Sequence, residues 1–307
     1  MAMYLEHFSL SERPFSLTPD TQFYFNTQSH RNALNTLLLS LKHSEGFIKI
    51  VGEVGTGKTL LCRKLLSSLG NNFITAYVPN PYLTPEELKA YLADEIGAAL
   101  SDDMQAHQVM MSIYRRLIQL ARKNRQVVLV VDEAQAMPVE TIEALRLLTN
   151  LETEKRKLVQ VVLLGQPELD ELLNRPDLRQ LKQRIVFNEY LSPFSLKGVR
   201  AYIEHRLNSA GSNQKLFSRT AVWLLSKGSG GIPRLMNVIA HKAMMVAYGK
   251  GDKTVKASHV AKAIVDTDES SKAGKFLALR WHLLWPVFGG VAAVLCIFLP
   301  QWIGGVL

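Results

Sequence analysis

The chain has 307 residues, 47% hydrophobic and 21% charged, a make-up that suits about two domains and excludes a disordered or collagen-like polypeptide. Its two cysteines, Cys62 and Cys296, stand far apart in unlike surroundings, which excludes a disulfide scaffold or a cysteine zinc site and fits a reducing compartment. Lys+Arg 36 against Asp+Glu 27 leaves a net charge of +9, which suits a nucleotide, a nucleic acid or an anionic membrane surface without choosing among them.

The N-terminal stretch carries Glu6, Glu12 and Arg13 and has no apolar run long enough for a secretory signal. Short β-rich runs follow at 47–51, 73–78, 127–131, 158–164 and 185–191. Most are near-continuous in Val, Ile and Leu, the pattern of parallel strands buried on both faces. Helical stretches separate them. One opens at Thr84-Pro85-Glu86-Glu87, a capping box with proline in the first turn, and another follows Pro138 through Ile142, Leu145 and Leu148. The alternation predicts a three-layer α/β domain over 1–191. Beyond Pro193 the strands stop. Segments at 199–207, 220–225, 233–247 and 257–265 read as helices divided by glycines at 211, 228–231 and 249–251, which predicts a small all-α domain over 192–268.

Residues 269–280 read as a basic linker. From Trp281 to Leu307 there is no Asp, Glu, Lys or Arg, and 283–299 is an apolar run with Trp281, Trp285 and Trp302 near its ends. About 20 helical residues cross the ~30 Å hydrocarbon core, so 281–307 is expected to be a transmembrane anchor. Lys272, Lys275 and Arg280 precede it, which places the large N-terminal part in the cytoplasm. A greasy helix docked on the protein is the competing account, favoured by Pro286 and the pair Gly289-Gly290.

Gly52-Glu53-Val54-Gly55-Thr56-Gly57-Lys58-Thr59, running into Leu60, matches G-x-x-x-x-G-K-[ST] between a strand and a helix. Such a loop folds backbone N–H groups around phosphate at a helix N-terminus. Lys58 would reach the β- and γ-phosphates of ATP, and Thr59 would ligate Mg²⁺. Asp132, at the end of the 127–131 run, would hold the metal. Glu133, expected to point to the other side, would polarise the attacking water. A carboxylate base beside a metal-binding acid argues for hydrolysis as well as binding.

These blocks, with RPFSLTPD (13–20), VVDEAQ (130–135), LRLLTNLET (145–153), LLGQPEL (163–169), LKQRI (181–185) and GGIPR (230–234), resemble AAA+ ATPases, and among them the general-secretion ExeA/GspA group. The resemblance implies a P-loop AAA+ three-layer sandwich with a five-stranded parallel sheet, a helical lid and a membrane anchor. ExeA continues into a periplasmic peptidoglycan-binding domain. This chain stops at Leu307, which favours the branch serving MSHA-type pilus biogenesis. The resemblance places Gln166 near the γ-phosphate, against the simpler reading of a loop residue before the next helix. It makes Arg184, or Arg179, the finger that reaches a neighbouring subunit's nucleotide, where surface basic residues are the alternative. Arg234 would couple the lid to the nucleotide, with a structural salt bridge as the alternative. Asn80 would be a polar switch on Glu133, or an ordinary turn residue. Phe15 or Phe23 would stack on adenine, unless they are core.

The implied partners are further copies of the chain (a hexamer by family habit), inner-membrane proteins of a pilus or secretion machine, and the bilayer. A nucleic-acid-associated regulator resembling TniB is the alternative class. The anchor and the lack of a basic recognition helix disfavour it. A nucleotide-gated scaffold with slow hydrolysis would use the same residues.

Overall fold

The structure, a computed structural model, describes residues 2–17, 23–44, 46–101, 103–154 and 156–279. In chain order the helices are α1 (Ala2–His7), α2 (Gln28–Lys42), α3 (Lys58–Ser68), α4 (Pro85–Ile96), α5 (Ala106–Arg122), α6 (Val139–Leu148), α7 (Glu168–Leu173), α8 (Arg179–Lys182), α9 (Leu196–Ser209), α10 (Arg219–Ser229), α11 (Pro233–Gly249) and α12 (Ala257–Val265). The strands are β1 (Phe47–Gly52), β2 (Phe73–Val78), β3 (Gln126–Val131), β4 (Val159–Gly165) and β5 (Ile185–Leu191). The chain divides into two compact units, residues 26–192 and residues 1–25 with the chain from 193 onward.

In the first unit the strands form a parallel five-stranded sheet in the order β2-β3-β4-β1-β5. Pleating sends successive side chains to opposite faces, so a continuous apolar strand needs a covering layer on each. On one face Phe47, Val51, Leu129, Val131, Val161 and Leu163 pack with Leu88 and Leu92 of α4, Ile113 of α5 and Leu145 of α6. On the other, Ile48, Ile50, Val128, Val130, Val162 and Leu164 pack with Leu37 and Leu41 of α2 and Leu61 and Leu65 of α3. Each such fully buried side chain contributes about 1.5–3 kcal/mol over exposure. The edge strand β5 alternates instead, leaving Val186 and Tyr190 exposed. The capping box at α4 forms as expected. Thr84 Oγ1 accepts from the Glu87 N–H, and the Glu87 carboxylate accepts from the Thr84 N–H at 2.8 Å.

The second unit is helical, and three of its features depart from the sequence expectation. Residues 1–25 were expected in the α/β domain. Tyr4, Phe8, Leu10, Phe15 and Phe23 instead join the core built from Ile203, Leu207, Leu225, Met236 and Met244. Their anchor is Arg206, a 5%-exposed guanidinium that donates to the carbonyls of Pro14 and Ser16 and lies 4.4 Å from the Phe23 ring centroid. Phe15 meets Phe217 edge-on. Phe15 and Phe23, for which core packing was the alternative to stacking on adenine, are core residues, 3% exposed each. Glycines 228–231 do not all break the chain either. Gly228 lies inside α10, where a Cβ would come within 2.5 Å of Ile264, and the helix ends at Gly230 with φ 59°. Residues 269–280, expected as a linker, include a helix at 272–279. A Cβ on its Gly274 would fall 2.4 Å from Gly228 Cα, so two glycines let the backbones touch. Among the described residues no helix is long and apolar enough to cross a membrane, and the expected anchor over 281–307 lies outside them.

Candidate nucleotide site

Parallel α/β sheets gather their functional residues at the C-terminal ends of the strands. Here the neighbours β1, β4 and β3 end in the P-loop, in Gly165-Gln166 and in Asp132-Glu133 respectively. In sequence the strand at 73–78 separates the P-loop from Asp132. In space β2 lies at the sheet edge and β4 fills the gap, which brings Gln166 beside both.

The loop closes on itself. Thr56 N–H and Oγ1 both donate to Glu53 O, at 3.2 and 2.8 Å. A Cβ at Gly52 would fall 2.7 Å from that hydroxyl, and Gly57 sits at φ 101°, so glycine is required at both. Lys58 is 4% exposed, and its ammonium donates to Gly52 O at 2.8 Å and Glu53 O at 3.2 Å. Burial pulls its pKa below the usual lysine value, opposed by Glu133, Asp132, Glu53 and Glu168. Gly57 caps α3 without a side chain, so no side-chain acceptor occupies the first-turn N–H groups. A buried cation and an uncapped helix start fit an oligophosphate.

Asp132 is 4% exposed. Its Oδ2 accepts from Thr59 Oγ1 at 2.8 Å and from the Tyr77 phenol at 3.2 Å, and its Oδ1 from the Glu133 N–H at 3.0 Å. Burial, then the Asp132 charge, push the phenol above its ordinary pKa and keep it a donor. One carboxylate and one hydroxyl fit Mg²⁺, which takes its remaining ligands from phosphate and water.

Strand alternation does not aim Glu133, because β3 ends at Val131. Glu133 adopts φ 50°, ψ 40°, a left-handed conformation uncommon outside glycine, and this turns its side chain toward the end of β4. Its Oε2 accepts from Gln135 Nε2 at 2.7 Å and Gln166 Nε2 at 2.9 Å, while Gln135 Oε1 accepts from the Gln166 N–H at 3.0 Å. Burial pushes the carboxyl up. The two amides and the Lys58 charge outweigh it, and the net pKa lies below the usual carboxylate value.

The other expected site residues are placed as follows. Asn80 accepts from the Tyr82 N–H at 3.1 Å and makes no hydrogen bond to Glu133, whose side-chain partners are Gln135 and Gln166. Arg184 precedes β5 and donates to Arg146 O at 3.4 Å and to Asn150 Oδ1. The seven residues of β5 separate it, by about 20 Å, from the strand end that aligns with Gly52. It therefore stands at the opposite end of the strands from its own P-loop. Arg179 is exposed at the start of α8, and Arg234 is exposed in the first turn of α11 in the helical unit. Sequence reasoning missed Tyr77, Gln135 and His30. Only Gln135, inside VVDEAQ, had a local signal.

Residues 41–173 match the AAA domain family. The chain is 38% identical over 299 residues to general secretion pathway protein A of Aeromonas hydrophila, covering 94% of this chain and 55% of that protein. It thus spans about half the length of that relative. Among solved structures it resembles the Aeropyrum pernix ORC2 protein (TM-score 0.61, 17% identity, 85% of this chain and 72% of that one). It also resembles Cdc6p from Pyrobaculum aerophilum (0.62, 16%, 81% and 69%) and the Thermotoga maritima RuvB branch migration motor (0.53, 17%, 82% and 72%). Residues 41–173 thus form an AAA domain of P-loop α/β fold, in a chain related over most of its length to general secretion pathway protein A.

Proposed function

We propose that the protein binds and hydrolyses ATP with Mg²⁺, as a self-assembling, membrane-anchored ATPase that supports assembly of an MSHA-like type IV pilus (the MshM type) or a related secretion machine. The observation that carries the hydrolytic part is the Glu133 carboxylate, kept ionised by Gln135 and Gln166 beside a buried P-loop lysine and the Asp132–Thr59 pair. Gly52 to Leu60 cradle the phosphates through backbone N–H groups, with Lys58 supplying charge. Thr59 and Asp132 hold Mg²⁺, which when bound neutralises phosphate charge. Glu133 accepts the proton of the attacking water. Gln166, already on that carboxylate, links it to the γ-phosphate. Arg184, at the far end of the strands, is available to a neighbouring copy, with Arg179 the alternative, and Arg234 reports the nucleotide to the helical unit. Asn80 is left as a turn residue.

The similarity to general secretion pathway protein A supports the secretion role, the pilus role rests on the sequence resemblance alone, and the ORC2 protein that shares the fold was solved in ADPNP–ADP complexes. A cytoplasmic ATPase domain held at the inner membrane through 281–307 follows from the sequence pattern. ATPase rate measured against protein concentration for the full chain, with Lys58→Ala alongside, tests the reading. A specific rate that rises with concentration and vanishes in the variant is expected, and no hydrolysis at any concentration would refute it.

A further inference from the structure

The P-loop is held from outside by a residue no motif includes. His30, in the first turn of α2, is 4% exposed, and its Nε2 lies 3.0 Å from the Thr56 carbonyl oxygen. On the other side of the ring, Nδ1 lies 2.7 Å from Thr27 Oγ1, the helix cap that itself accepts the His30 N–H at 3.2 Å. A carbonyl only accepts, so Nε2 carries the hydrogen. Burial holds the imidazole pKa below its ordinary value, against the opposing bond to Thr56, so the ring is neutral at pH 7. Nδ1 then accepts the Thr27 hydroxyl hydrogen, and Thr27 fixes the Nε2–H tautomer.

The consequence follows from peptide planarity. The Thr56 C=O and the Gly57 N–H belong to one trans peptide group and point in opposite directions. A donor that holds the carbonyl on the outside of the loop therefore holds the Gly57 N–H toward the inside, where the loop presents donors to phosphate. Thr56 is 1% exposed, so this carbonyl has no ready substitute in water. The ring also packs close to Gly57, where a Cβ would sit 3.1 Å from Nε2.

We infer that His30 is a positioning residue for the phosphate cradle, fixing the Thr56–Gly57 peptide so that the Gly57 N–H meets bound nucleotide. The inference rests on the nucleotide reading above. It extends that reading to a residue that touches no phosphate itself.

The test is mant-ADP affinity of the full chain carrying His30→Gln, His30→Asn or His30→Phe. Gln places an N–H where Nε2 was, Asn is one methylene too short, and Phe keeps the ring without a donor. Loss of one buried hydrogen bond weakens binding about five- to tenfold, so that loss is expected for Asn and Phe, with Gln near wild type. In ATPase assays the change should fall on KM, with kcat within about twofold. If Phe does not fold, the Gln/Asn pair decides alone, because the two differ only in reach. Equal affinity for Gln and Asn, or a loss confined to kcat, would overturn the assignment. A wild-type chain that binds no mant-ADP would instead remove the nucleotide reading on which it stands.

Discussion

Tyr77→Phe isolates the support of Asp132, the aspartate proposed to hold the metal. The substitution removes one hydroxyl from a phenol whose 3.2 Å bond ends on Asp132 Oδ2, and it leaves the ring in place on β2. Hydrogen bonds to a charged group are worth about 1.5–3 kcal/mol net, and the long distance puts this one near the lower figure. Asp132 keeps Thr59 at 2.8 Å and the Glu133 N–H at 3.0 Å, so it is not orphaned. For a domain of this size about 1.5 kcal/mol lowers the thermal midpoint by roughly 3–6 °C. A larger effect is expected on metal use. Tyr77 and Thr59 both donate to Asp132 Oδ2, and the Thr59 oxygen would also ligate Mg²⁺, so the phenol is the second side-chain donor that keeps the carboxylate aimed at the proposed metal site. An ATPase titration with Mg²⁺ should show the half-saturating concentration rise about tenfold, with the rate at saturating Mg²⁺ largely restored. A lowered midpoint with an unchanged Mg²⁺ titration would refute the reasoning and leave Tyr77 a packing residue.

Glu133→Gln keeps an oxygen for both amides, so the fold and nucleotide binding should survive while single-turnover hydrolysis falls about 10²–10⁴-fold. A residual rate above a tenth of wild type would exclude Glu133 as the base. Gln166→Leu removes one of the two amides that hold Glu133 below the usual carboxylate pKa, so the acid limb of the ATPase pH profile should move to higher pH. The stability linked to Glu133 is present above its unfolded pKa and is lost as pH falls through the depressed folded value, so the variant should lose less on acidification. Arg184→Ala should abolish the concentration-dependent part of the ATPase rate, and mixing it with Lys58→Ala should restore activity. Restoration would show that the finger and the P-loop come from different chains, and an Arg184→Ala rate equal to wild type would exclude it.

Local pattern alone determined a good deal. Apolar runs between 47 and 191 foretold the five strands within about a residue at each end, because a strand covered on both faces must be apolar throughout. The P-loop, Asp132, Glu133 and the α4 capping box were legible for a similar reason. Their chemistry depends on residues adjacent in the chain.

What the chain could not announce locally was adjacency across it. Strand order places β4, not β2, between β1 and β3, and only that order sets Gln166 on Glu133. The left-handed turn at Glu133, not strand alternation, aims the carboxylate. Residues 1–25 leave the α/β sequence for the helical core because Arg206, nearly two hundred residues later, satisfies their carbonyls. His30 reaches the Thr56 carbonyl across 26 residues. In each case the deciding partner is a buried or half-buried polar group whose hydrogen bond must be met by whatever the fold brings near, and periodicity carries no record of that meeting.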